Sequence, residues 1–93
     1  MSGSAERKRV EEHIREIAGR RKNTTLQEIE WVVNQLALLG WETNKRGTSH
    51  NMMFRVGEQQ FAVCSHNRGN KQLKRCYVDA FLNAMTELGL YED

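Results

Sequence analysis

The stretch His50-Asn51-Met52-Met53-Phe54-Arg55-Val56-Gly57-Glu58-Gln59-Gln60-Phe61-Ala62-Val63-Cys64-Ser65 decides the fold. Two six- or seven-residue runs flank Gly57-Glu58, a tight glycine turn, and so read as a β-hairpin. With that turn Val56 pairs with Gln59, and the same register sets His50 opposite Ser65, with His66 the next residue along. The two histidines then meet at one end of the sheet, where cross-strand Cβ atoms stand roughly 5 Å apart. Strict alternation assigns His50, Met52, Phe54 and Val56 to the face that holds Phe61 and Val63, the core face. The unbroken run Met52-Met53-Phe54 also admits a bulge or another turn length, either of which moves His50 to the open face.

Outward from the hairpin, Trp41 to Lys45 reads as a short first strand and Arg46-Gly47-Thr48-Ser49 as a turn. Upstream, Leu26, Ile29, Val32, Val33, Leu36 and Leu39 recur at helical spacing. Thr25 and Glu28 form a capping box at the start of that helix, and Gly40 stands at its C-terminal cap position. Downstream, a helix from about Lys71 to Leu88 carries Leu73, Tyr77, Ala80, Phe81, Ala84 and Leu88 on one face, with Gly89 at its end. A first helix, from Ala5 to about Arg21, shows only the narrow stripe Val10, Ile14 and Ile17, too thin to be a core by itself. The order predicts an α+β, two-layer sandwich: a three-stranded antiparallel sheet with two helices on one face, plus an extra N-terminal helix. Residues 1–23 are then a helical extension and residues 24–93 the domain proper.

Ninety-three residues, 39% hydrophobic and 28% charged, suit one small globular domain. No run approaches the roughly 18 apolar residues of a membrane span. The start, Met1-Ser2-Gly3-Ser4, leads into charged sequence rather than an apolar secretory segment, which argues for the cytoplasm and for no membrane partner. Cys64 and Cys76 form no close pair and read as small buried apolar residues. The net charge of +2 is unevenly spread. Seven basic and four acidic side chains give residues 1–22 a charge of +3, and residues 23–40 carry −2. Residues 41–76 hold seven basic against two acidic side chains, +5, and residues 77–93 carry −4. A basic middle between acidic flanks favours a polyanionic partner, nucleic acid first; the same charges also suit a solvated surface.

Walker-type, dinucleotide-binding, nucleophile-elbow and zincin motifs do not occur in the chain. Histidines are the better lead. His50 and His66 titrate near neutrality and stand among Lys45, Arg46, Arg68 and Lys71, a setting that suits acid–base work on a phosphodiester. Histidines at strand ends are also commonly plain exposed polar residues. Cys64, His66, Cys76 and His50 are chemically competent zinc ligands, but without a second close ligand pair no metal is expected.

Leu39-Gly40-Trp41, Arg46-Gly47-Thr48-Ser49-His50, Phe61-Ala62-Val63, His66 and the terminal amphipathic helix together resemble HicA-type toxins of bacterial toxin–antitoxin systems, over about residues 25 to 90. Members show a Gly-Trp helix end, a Gly-Ser-x-His step into the second strand and a Val-Pro-x-His strand end. Here Thr48 replaces the usual serine, Cys64 stands where proline is common, and some 24 residues precede the family's usual start. The resemblance implies a domain like that of double-stranded-RNA-binding proteins, acting as a ribonuclease on messenger RNA without metal or other cofactor. It implies that His50 is the essential catalytic histidine and that His66 is a second acid–base group or phosphate contact. It further implies a HicB-like antitoxin protein that covers the active histidine. The stripe Val10, Ile14 and Ile17 either packs on its own domain, enlarges that antitoxin contact or forms a homodimer. The competing class is a non-catalytic RNA-binding module of the same fold, which needs the basic segment but not His50. A third reading is a protein-interaction domain whose basic segment meets an acidic partner.

Overall fold

A computed structural model describes residues 2–48, 51–64 and 73–92. Its elements run α1 (Ser2–Gly19), a 3₁₀ turn (Arg21–Asn23), α2 (Leu26–Leu38), β1 (Thr43–Thr48), β2 (Asn51–Val56), β3 (Gln59–Cys64) and α3 (Arg75–Glu87). The three strands form one antiparallel sheet in the order β1-β2-β3. It is an α+β architecture.

Local chemistry accounts for the helix limits. Thr25 accepts the Glu28 N–H at 3.4 Å, and Glu28 accepts the Thr25 N–H at 3.0 Å, closing the capping box at the head of α2. At its end the Trp41 N–H reaches the Leu36 carbonyl at 3.0 Å and the Gly40 N–H reaches Ala37 at 3.1 Å. This paired arrangement requires a left-handed residue, and Gly40 supplies it with φ +101°. Helix α3 closes in the same way through Leu90, Met85, Gly89 and Thr86.

The hairpin has the expected register: Val56 pairs with Gln59, and pairing continues in step to Asn51 with Cys64. No bulge interrupts β2, where Phe54 and Val56 are buried while Asn51, Met53 and Arg55 are exposed. Strand β1 differs from expectation. It begins at Thr43 and continues through Arg46, Gly47 and Thr48, which pair with Met53, Met52 and Asn51. These residues are strand, not turn. The glycine that looks like turn chemistry sits inside the ladder with φ +119°, and a Cβ there would lie 2.2 Å from the Asn51 carbonyl oxygen.

One face of the sheet carries the core. Phe54 and Phe61 stack at 5.5 Å between centroids, and Phe61 meets Phe81 of α3 edge-on at 5.5 Å. Ile29, Val32, Val33 and Leu36 of α2 are buried in the same cluster. Of the residues expected on the inward face of α3, Leu73, Phe81 and Ala84 are buried and Ala80 and Leu88 sit at its margin; Val78, Leu82 and Met85 complete the buried arc, and Tyr77 is half-buried outside it. Helix α1 packs against α2 and α3, and Val10, Ile14 and Ile17 are at most 1% exposed. The stripe therefore packs on the protein's own core. Buried Thr24 secures this corner: its hydroxyl donates to the Arg20 carbonyl at 3.3 Å, and its carbonyl accepts the Leu73 N–H at 2.8 Å.

Candidate nucleic-acid interface

Among the described residues the other face of the sheet carries no fully buried core residue, and the register orders its side chains in rows across the strands. Asn44, Arg55 and Gln60 form one row, Arg46, Met53 and Ala62 the next, and Thr48, Asn51 and Cys64 the last. Arg46 and Arg55 are exposed on either side of Met53, itself 43% exposed. Two shallow hollows mark this surface, one lined by Glu42, Thr43, Asn44 and Arg55, the other by Asn44, Arg46, Met53, Arg55 and Gln60. Guanidinium groups, carboxamides and one apolar side chain on an open sheet can hold a phosphate backbone and lie flat against a base.

Of the expected site residues, Lys45 and Arg46 lie on β1, both exposed. They do not share a face. Successive strand residues alternate, so Arg46 joins the open face opposite Met53, while Lys45 stands opposite buried Phe54 on the outer edge of the sheet. His50, His66, Arg68 and Lys71 lie outside the described residues, as do the sheet face of His50 and its pairing with Ser65. The described positions beside the two histidines do converge. Thr48 and Cys64 are the Cα partners of Asn51 on its two sides; His50 directly precedes Asn51, and His66 follows Cys64 by two residues.

The last row is chemically linked. The Cys64 thiol donates to the Asn51 side-chain oxygen at 3.2 Å. Tyr77, in the first turn of α3, has its hydroxyl held above the ordinary phenol value, chiefly by a hydrogen bond with Cys64. The first turn of α3 and the end of β3 thus stand side by side. Cys64 is half-buried and Cys76 exposed, so neither is the buried apolar filler expected: Cys64 belongs to the open-face row, and Cys76 falls on the outward side of α3. Among the described residues, no group of three histidine, cysteine or carboxylate side chains is placed to hold a metal.

Sequence reasoning missed Arg55, Asn44, Met53 and Gln60 as members of this face. Their signal is the alternation of the hairpin itself, which sets Arg55 and Met53 opposite to Phe54 and Val56. It also missed a polar cluster around the third histidine. His13 packs on Trp31 at 4.9 Å between ring centroids, and its Nδ1 lies 3.3 Å from Glu16. Its Nε2 is buried 3.9 Å from Glu28, beyond hydrogen-bonding reach. This cluster joins α1 to α2, on the helical side of the molecule. The chain matches no described protein family, no curated protein and no solved structure. No helix among the described residues is long and apolar enough to cross a membrane.

Proposed function

We propose that this protein is a metal-independent endoribonuclease of the HicA toxin kind, built on a domain like that of double-stranded-RNA-binding proteins and acting on messenger RNA in the cytoplasm. The observation that carries the reading is the row Thr48–Asn51–Cys64, which brings together the chain positions next to His50 and His66 at the end of a face bearing Arg46 and Arg55. The motif resemblance over residues 25 to 90 supplies the reaction class.

In this reading His50 removes the proton from a ribose 2′-hydroxyl, and the 2′-oxygen attacks the neighbouring phosphorus. The bond from phosphorus to the 5′-oxygen breaks, and His66 or a lysine protonates that leaving oxygen. The products are a 2′,3′-cyclic phosphate and a 5′-hydroxyl, with no water or metal consumed. Arg46, with Arg68 and Lys71 from the segment after His66, would hold the phosphate and offset the charge that develops on it, while Lys45, on the other side of β1, would contribute only at longer range. A HicB-like antitoxin protein would then cover the site, and a second copy of the chain is the other partner to test.

Positioned proton transfer contributes about 10²–10⁴-fold. His50→Ala should therefore reduce cleavage of labelled RNA in EDTA by that order while leaving the circular dichroism spectrum unchanged. The parent's rate between pH 5 and 8 should follow an imidazole-like titration. Equal rates for parent and His50→Ala would remove His50 from the reaction. Salt-sensitive binding without any cleavage would establish the non-catalytic RNA-binding module instead, a reading that the cations of the open face satisfy without His50.

A further inference from the structure

The basic charge of the first 22 residues has no part in the site above, yet the fold brings two of its arginines, Arg20 and Arg21, to the start of α3. An open hollow of about 550 Å³ lies where α1 ends, lined by Ala18, Gly19, Arg20, Arg21, Asn23 and Arg75. Its three arginines come from segments more than fifty residues apart in sequence. Arg20 and Arg21 are each held by a carboxylate, and Arg75 stands near one. Glu28 takes both terminal nitrogens of Arg20. Asp79 accepts from Arg21 at 2.6 Å and stands 3.8 Å from the Nε of Arg75.

We propose that this hollow is a second RNA subsite, in which Arg75, Arg21 and Arg20 hold backbone phosphates of a strand extending from the sheet end. The inference rests on RNA being the ligand of the protein. Four cations (Arg20, Arg21, Lys74, Arg75) face three carboxylates (Glu28 and Asp79, with Glu16 near Arg20), so the corner keeps a small surplus of positive charge. Arg75 is the least engaged: its side chain is 63% exposed and its contact with Asp79 is longer than a hydrogen bond.

The head of α3 points the same way. Its N-cap, Lys74, provides no side-chain cap, and no acidic residue lies in the first turn. Two cations at the positive end of a helix dipole are electrostatically unfavourable in the free protein, and an anion docking there relieves them. Among the described residues the lining has no large apolar side chain to grip a base, and nearby Tyr91 engages Arg21 through its hydroxyl, which favours phosphodiester over nucleobase. Guanidinium groups already fixed by carboxylates lose little further freedom on binding. The corner also adjoins the proposed site: Tyr77, two residues after Arg75, bonds Cys64 in the last row of the open face.

The test is fluorescence anisotropy of a labelled, uncleavable 2′-O-methyl RNA of 14 nucleotides, across a salt series, with four variants of the chain, one of them Arg46→Gln on the sheet face. Lys74→Gln/Arg75→Gln removes two cations of the corner, and Arg21→Lys keeps the pair with Asp79 while losing the planar fork. Arg15→Gln is the charge control, since Arg15 lies by Gly89 and Tyr91 at the other end of α3. The corner variants should bind several-fold more weakly than the control. For the double variant, the slope of log affinity against log salt should become shallower by about 0.7 for each phosphate that is no longer neutralised. If the double variant and Arg21→Lys bind no more weakly than Arg15→Gln while Arg46→Gln still weakens binding, the subsite is overturned and RNA as ligand stands. A parent chain that does not retain the RNA at low salt overturns both.

Discussion

Glu28 joins two elements through a single carboxylate. It caps α2 by accepting from Thr25 and holds Arg20 at the end of α1. The Arg20 hydrogen bonds keep its carboxyl below the ordinary value of 4.5, against the opposing effect of burial, with the Thr25 N–H adding in the same direction. A carboxylate whose folded-state value is depressed stabilises the fold above its unfolded value and loses that contribution as pH falls through the folded one. Glu28→Gln should lower stability by about 1–2 kcal/mol at pH 7, and the gap to the parent should close below pH 4.5. Urea unfolding at pH 7 and pH 3 measures this, and an equal gap at both would show that charge is not involved. Gly47 is critical for a steric reason. Its φ of +119° and the 2.2 Å approach of a Cβ to Asn51 O leave no room for a side chain. Gly47→Ala should cost at least about 1–3 kcal/mol and disturb the strand end that leads into His50. Unchanged unfolding by urea would contradict the geometry.

At the scale of elements, α1 is part of the fold and not a free arm. Three apolar residues suffice because they enter a core already enclosed by α2 and α3, where each loses essentially all its exposure. Ile14→Ala should cost about 2–5 kcal/mol, and removal of residues 1–22 should lower the melting temperature sharply, both read by thermal circular dichroism. Helix α2 and the hairpin were legible in the sequence because capping chemistry, apolar spacing and turn type agree there. The α3 face was legible at Leu73, Phe81 and Ala84 but too narrow, because α3 is covered on two flanks, by β3 and by the corner of α1 and the 3₁₀ turn. Its buried arc therefore extends to Val78, Leu82 and Met85, beyond any single stripe. Strand β1 was cut short because Gly47 carries the local signature of a turn while cross-strand pairing holds it in the ladder. Of the site, Arg46 was legible from charge, whereas Arg55 and Met53 become a surface only once the register has sorted inward from outward residues.

For the whole molecule, the decisive property is asymmetry: the described helices pack into one core, and among the described residues one sheet face carries no helix. Stability and ligand binding are thereby divided between the two sides of the same strands. Phe54 and Arg55 are neighbours in sequence, yet Phe54 is fully buried and stacks on Phe61, and Arg55 reaches the Gly57 carbonyl at 3.1 Å in an exposed hydrogen bond. Substituting Phe54 by alanine should cost about 3–5 kcal/mol. Replacing both arginines of the open face, Arg46→Glu/Arg55→Glu, should change stability by no more than about 0.5 kcal/mol per site, because neither side chain packs on the core. The double change alters the local charge by four units at the centre of the proposed RNA face, so retention of RNA at low salt should be lost. Thermal melting and anisotropy on the same sample separate the two effects. Loss of folding would show that the open face contributes to the core, and undiminished RNA retention in a folded variant would move the ligand to another surface.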